Sequence, residues 1–171
     1  MLALLKNLFQ AKIPNAAIAW QQTGYDAGSA FWLYAAPVHL VLQRDSFSLA
    51  APAPMPLEKD EISALIAALN VHFADDGKSF FWHENTWFLR LENNPNIKTS
   101  APQAALNKDI STYLPMGEGA TKWASFTNEI QMLLFEHPIN LVREAKKLPV
   151  INSIWCYGGG QLDGNTKSHA N

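Results

Sequence analysis

The chain of 171 residues has a single cysteine, Cys156, so no internal disulfide framework exists, and a lone thiol fits a reducing compartment. Charge is scarce as well: Asp, Glu, Lys and Arg together make up 16% of the residues, against about a quarter in an ordinary globular chain. The net charge is −2, and no basic run exceeds Lys146-Lys147, which leaves no electrostatic footprint for nucleic acid. No apolar stretch approaches the ~18 residues of a membrane span. The opening Met1-Leu2-Ala3-Leu4-Leu5-Lys6 lacks a basic leader, and Asn7 and Lys12 follow too soon for a signal peptide. A cytoplasmic protein with neither a membrane nor a nucleic-acid partner is expected. Catalytic signatures are missing too. The chain has no Gly-x-Ser-x-Gly, no phosphate-binding P-loop and no dinucleotide fingerprint, so no catalytic residue and no cofactor is expected.

What is present is apolar and aromatic. Hydrophobic residues reach 48%, with 6 Trp and 9 Phe, which excludes disorder across the whole chain. A large aromatic core explains this composition, and so does an apolar surface used for self-association. We expect a homodimer.

Leu2, Leu5, Leu8 and Phe9 have helical spacing, and Pro14 ends that pattern; residues up to Ser29 then read as a loop. Phe31 to Tyr34 reads as a strand interrupted by Pro37. Val38, Leu40 and Leu42 then alternate with His39, Val41 and Gln43, and Phe47 and Leu49 continue beyond a polar break as a hairpin. Residues 50–56 hold three prolines and predict an extended link. Ile62, Leu65, Ile66, Leu69 and Phe73 form one apolar stripe, so a helix is expected over 57–73, closed by Asp75, Asp76 and Gly77. Ser79 to His83 and Thr86 to Leu91 read as a second hairpin around Glu84-Asn85. A short helix is expected over Pro102 to Leu106. Trp123, Phe126, Ile130, Leu133 and Leu134 mark a longer one, broken at Pro138 and continued to Ala145. Asn152 to Tyr157 reads as the last strand, ended by Gly158-Gly159-Gly160. The fold expected is a single α+β domain over residues 1–160 with a polar tail over 161–171. Its mainly antiparallel sheet is built from two β-hairpins plus the C-terminal strand and packs against two or three helices.

The polar residues of the C-terminal third are the best candidates for a site. Asn128, Glu129 and Gln131 precede the Pro138 break, Asn140, Arg143 and Glu144 follow it, and Asn152 with Gly158, Gly159 and Gly160 returns on the last strand. A helix bent at Pro138 would turn both sets toward one concavity, with Arg143 to hold a carboxylate or phosphate and Glu129 or Glu144 to balance it. The glycine run reads either as a plain turn or as an anion-binding loop. Solvated ion pairs and caps explain the same residues equally well. His39 and His83 lie among apolar neighbours with no carboxylate or thiol at ligand spacing, so no metal is expected. Cys156, between Trp155 and Tyr157, reads as a buried thiol.

Asn128-Glu129-Ile130-Gln131-Met132-Leu133-Leu134, His137-Pro138, Asn140, Arg143-Glu144-Ala145, Asn152-Ser153, Trp155 and Gly158-Gly159-Gly160 together resemble a proteobacterial family. That family is labelled both as regulatory protein of the Rpf E type and as cofactor-independent phosphoglycerate mutase-like protein. Trp32-Leu33, Pro37-Val38-His39-Leu40, His72-Phe73 and Trp87-Phe88-Leu89-Arg90-Leu91 agree with it, so the resemblance runs from about residue 30 to 160. The mutase label implies two-metal phosphoryl transfer, with a Ser nucleophile and a cage of Asp and His. Ser168-His169 is the nearest echo of that cage. The expected function is therefore a non-catalytic regulatory domain that binds a small polar ligand or a protein partner. The alternative is a metal-dependent phosphoryl-transfer enzyme.

Overall fold

The computed structural model describes residues 13–162; the helix expected over 2–10 and the tail from 163 onward lie outside them. The architecture is α+β, with a mainly antiparallel sheet as expected. In chain order the elements are α1 (Ala16–Gln22), β1 (Phe31–Val38), β2 (Leu40–Leu42), β3 (Phe47–Leu49), α2 (Lys59–His72), β4 (Lys78–His83) and β5 (Thr86–Leu91). There follow α3 (Pro102–Ala105), a 3₁₀ turn (Ile110–Tyr113), α4 (Ala120–Phe135), α5 (Pro138–Ala145) and β6 (Ser153–Gln161). Four strands form the main sheet in the order β4-β5-β1-β6, which leaves β4 and β6 as its outer strands.

The first hairpin forms over the expected residues but stands apart from the main sheet, contrary to expectation. β1 runs unbroken through Pro37, and β2 and β3 pair with each other in a separate two-stranded sheet. Pro37 is tolerated because its carbonyl accepts from Met55 N at 2.8 Å on the side away from β6, where a missing N–H breaks no ladder bond. A helix also stands where a loop was expected. Asn15 caps α1 by accepting from Ile18 N, so Pro14 stands just before a helix start.

α1 covers one face of the sheet, where Trp20 stacks on Trp32 with ring centroids 5.0 Å apart and meets Phe88 edge-on. The other face carries the main core. The stripe Ile62, Leu65, Ile66, Leu69 and Phe73 packs there with Trp123, Phe126, Ile130 and Leu134 of α4 against Leu33, Leu89, Ile154 and Cys156. A third cluster, Val38, Leu40, Leu49, Ile110 and Trp155, joins the small sheet to β6. α2 starts with Glu58 N donating to Glu61 Oε1 at 3.1 Å. α4 and α5 are separate helices: His137 caps α5 through its ring nitrogen, and Pro138 takes the first helical position, where its missing N–H matters least.

β6 does not end at the glycines. It continues through them to Gln161, whose Nε2 donates to Ser29 O, and Leu162 packs against the cluster under α1. Tyr157 pairs with Tyr34 and Gly160 with Trp32, so Gly158 and Gly159 together oppose Leu33, which is a β-bulge. Gly158 takes the left-handed φ of +63° that such a bulge requires. A Cβ at Gly160 would lie 2.2 Å from Asn15 Cγ, so glycine is what lets the cap of α1 sit on the strand. The run is a packing device within a strand and feeds no helix.

Candidate functional site

The polar residues singled out in the sequence scatter into separate places. Asn140 is 4% exposed and fully engaged. Its Nδ2 donates to Leu134 O and Ile151 O at 2.8 and 2.7 Å, and its Oδ1 accepts from Ile151 N at 2.8 Å. Arg143, also buried, donates Nε to Pro149 O and Nη1 to Glu61 Oε2, both at 2.7 Å, with Nη2 3.6 Å from Met55 Sδ. These contacts tie α5 to α2 and to the link before it. Burial alone would raise the Glu61 carboxyl, but hydrogen bonds from Arg143 and Glu58 N and the charges of Arg143 and Lys146 outweigh it and leave the group below its ordinary range. Arg143 is thus occupied by a protein carboxylate. Glu129 faces His72 at 3.3 Å on the exposed side of α4, and Glu144 is exposed on α5. Asn152 exchanges hydrogen bonds with Leu40, accepting from its N at 2.7 Å and donating to its O at 2.9 Å. The concavity expected from a bend at Pro138 does not gather these side chains.

Two of them do share a cavity. Asn128 and Gln131 line a groove of about 300 Å³ between α4, β6 and the small sheet. α4 presents Ala124, Thr127, Asn128 and Gln131, spaced i, i+3, i+4 and i+7, a stripe adjacent to the core-facing one. β6 contributes the consecutive residues Ser153, Ile154, Trp155 and Cys156, and Leu40, Phe47, Tyr113 and Leu114 close the far wall. Consecutive strand residues point to opposite faces, so a cavity that touches all four runs along the strand's edge. Gln131 Nε2 lies 3.4 Å from Ser153 Oγ, a weak bond across the groove. Asn128 is exposed and makes no side-chain hydrogen bond among the described residues. None of the sixteen lining residues is Asp, Glu, Lys, Arg or His. Burial pushes the Cys156 thiol up to about 12, so it stays protonated and contributes only apolar surface.

A second groove, next to Ile13, holds Gly158 and Gly159 with Phe31, Ile97 and Tyr157, so the glycines do not reach Asn128 and Gln131. His39 and His83 make no pair: His39 Nδ1 lies 2.8 Å from Val150 O, and His83 ends β4 beside Glu84. Among the described residues no three His, Cys, Asp or Glu side chains are grouped to hold a metal, and no helix is long and apolar enough to cross a membrane. The sequence reading missed Ala124, Thr127, Ser153 and Trp155 as site residues. The signal that would have found the first two is the small and polar stripe beside the apolar one on α4. Comparison with protein-family models, curated proteins and solved structures finds no match.

Proposed function

We propose that the protein is a non-catalytic binding domain whose groove between α4 and β6 takes an uncharged ligand with an apolar body and a hydrogen-bonding edge. The observation that carries this is the composition of the groove wall. It has no ionisable side chain apart from the phenol of Tyr113 and the protonated thiol of Cys156, yet it holds the amides of Asn128 and Gln131 and the hydroxyls of Thr127 and Ser153. Binding sites that are mostly apolar with a few placed polar groups suit neutral molecules, because a buried charge would need a partner that this wall does not have. This reading narrows the small polar ligand or protein partner expected from the sequence and leaves out Arg143 as the holder of a carboxylate or phosphate, since Glu61 already pairs with that guanidinium. The phosphoryl-transfer alternative would need a carboxylate and histidine cage, and the described residues bring no three such side chains together.

Neutral aromatic amides, such as benzamide and indole-3-acetamide, are suitable probes. Titration followed by NMR should shift the signals of Gln131, Ser153 and Trp155 in the native protein. Ala124→Trp places a large side chain on an exposed helix position that faces the groove, and should abolish the shifts while leaving the fold intact. Shifts that survive in the filled variant, or that fall elsewhere, would remove the groove as the site.

A further inference from the structure

We propose that the occupant of this groove is an uncharged, extended peptide segment of a partner protein, which adds as a fifth strand to the free edge of β6 at Ile154 and Cys156. The inference rests on the reading of the groove as a binding site and narrows it to one kind of ligand. The direction of the backbone decides which groups face the groove. Pro37 turns its carbonyl to Met55, away from β6, so Ala36 and Val38 are the residues of β1 that face β6. Their partners in the ladder are Trp155 and Ser153. The N–H and C=O of Ile154 and Cys156 therefore point outward, into the side of β6 that the groove follows. Among the described residues no donor or acceptor meets these four groups. Ile154 and Cys156 are buried and line the groove, and an unpaired backbone group in such a place is costly.

Elsewhere the chain closes comparable backbone groups with asparagine. On β4, the other outer strand, Asn70 accepts from Phe80 N at 2.6 Å and donates to Phe80 O at 2.9 Å. Asn152 does the same for Leu40, and Asn140 for Ile151 just before β6 begins. Each side-chain amide stands in for one residue of a neighbouring strand. At Ile154 and Cys156 no such stand-in is found among the described residues, and a cavity lies beside them. An added strand would span Ser153 to Cys156 over about 10 Å and exchange both pairs of bonds. Alternate side chains of the segment would meet apolar walls on either side, Leu40, Phe47 and Leu114 among them. The absence of any Asp, Glu, Lys, Arg or His from those walls selects a segment that is uncharged along the paired stretch.

The test uses the full chain and a library of capped hexapeptides made only of uncharged residues, with amide hydrogen exchange read by NMR. A selected peptide should slow exchange at Ile154 and Cys156 at least tenfold. N-methylation of its backbone at a pairing nitrogen should weaken binding at least tenfold, and Ala124→Trp should abolish it. The inference is overturned if no peptide slows these amides, or if N-methylated peptides bind equally well. It also falls if the two amides already exchange slowly in the free chain and become fast on deletion of residues 2–11, which would make the chain's own start the occupant. Protection that grows with protein concentration would instead name a second copy, with the same consequence. If benzamide binds in the groove while every peptide fails, strand addition is wrong and the binding groove stands. If neither binds, both readings fall.

Discussion

Removing the Glu61 carboxylate separates a structural Arg143 from a ligand-binding one. In Glu61→Ala the guanidinium loses its 2.7 Å partner while its side chain, 9% exposed, has little access to water. Breaking a buried pair in this way costs about 3–5 kcal/mol, and the lower end applies because Glu61 is at the rim, 18% exposed. The helix start also loses the bond from Glu58 N. A loss of about 3 kcal/mol in a domain of this size lowers Tm by roughly 6–12 °C. Arg143→Met should cost less, about 2 kcal/mol, since the thioether can lie beside Met55, and of the two acceptors left without a donor, Pro149 O and Glu61 Oε2, the carboxylate stands at the rim where water reaches it. The double variant Glu61→Leu with Arg143→Met should recover part of the loss, because no charge is then stranded.

Scanning calorimetry across pH adds an independent arm. The Glu61 carboxyl is depressed in the folded protein relative to its ordinary 4.5, so its contribution is complete above about pH 4.5 and is lost as pH falls through the lower folded value. The Tm gap between the native chain and Glu61→Gln should therefore be constant at neutral pH and shrink below pH 4.5. A Tm within 1 °C of the native value for Glu61→Ala at pH 7 would refute the ion pair and return Arg143 to the candidate ligand residues.

Asn140→Ala should lower stability by about 3 kcal/mol or more in urea titration, because three buried bonds to Leu134 and Ile151 are lost together. Gly160→Ala pushes a methyl group into Asn15 and should loosen α1, read as a change in Trp20 emission and a loss of about 1–3 kcal/mol. Cys156, its thiol raised to about 12 and buried, should resist iodoacetamide at pH 8 until denaturant is added; rapid labelling of the native protein would show that the groove opens. Met132 and Phe135 are 73% and 80% exposed on α4, so light scattering at tens of micromolar should give a dimer mass that Phe135→Ser reduces to a monomer.

The elements legible in the sequence were those with an unambiguous period. The stripe from Ile62 to Phe73 and the hairpin around Glu84-Asn85 are present as the pattern implies. α1 was hidden because only Ala16, Ala17 and Trp20 of its seven residues are buried, too short a stripe to outweigh the glycines that follow. The continuation of β6 was hidden because three glycines normally mean a turn, and only the contacts with Tyr34, Phe31 and Asn15 show what they are for. The site was harder still. Arg143 and Asn140 look like ligand residues on paper, since a polar side chain in an apolar helix must be satisfied by something, and sequence does not say whether the partner is a ligand or the chain itself.

That ambiguity bears on how the chain protects its backbone. Asparagine serves at Asn70, Asn140 and Asn152 as a portable piece of strand, and each of them would pass in a sequence as a site residue or a surface amide. Asn128 and Gln131 differ from these three in one respect: no backbone group of the described chain is bound by either amide. An amide with no backbone partner, beside a strand whose outward groups are likewise without one, leaves two half-complements facing a single cavity. Converting Asn128 and Gln131 separately to Ala should therefore leave urea stability within about 0.5 kcal/mol of native, since Asn128 is exposed and Gln131 loses only its weak 3.4 Å bond to Ser153. The same variants should weaken binding of a groove ligand several-fold. Equal losses of stability in the Asn128 and Asn140 variants would place both among the structural amides and remove the polar half of the groove.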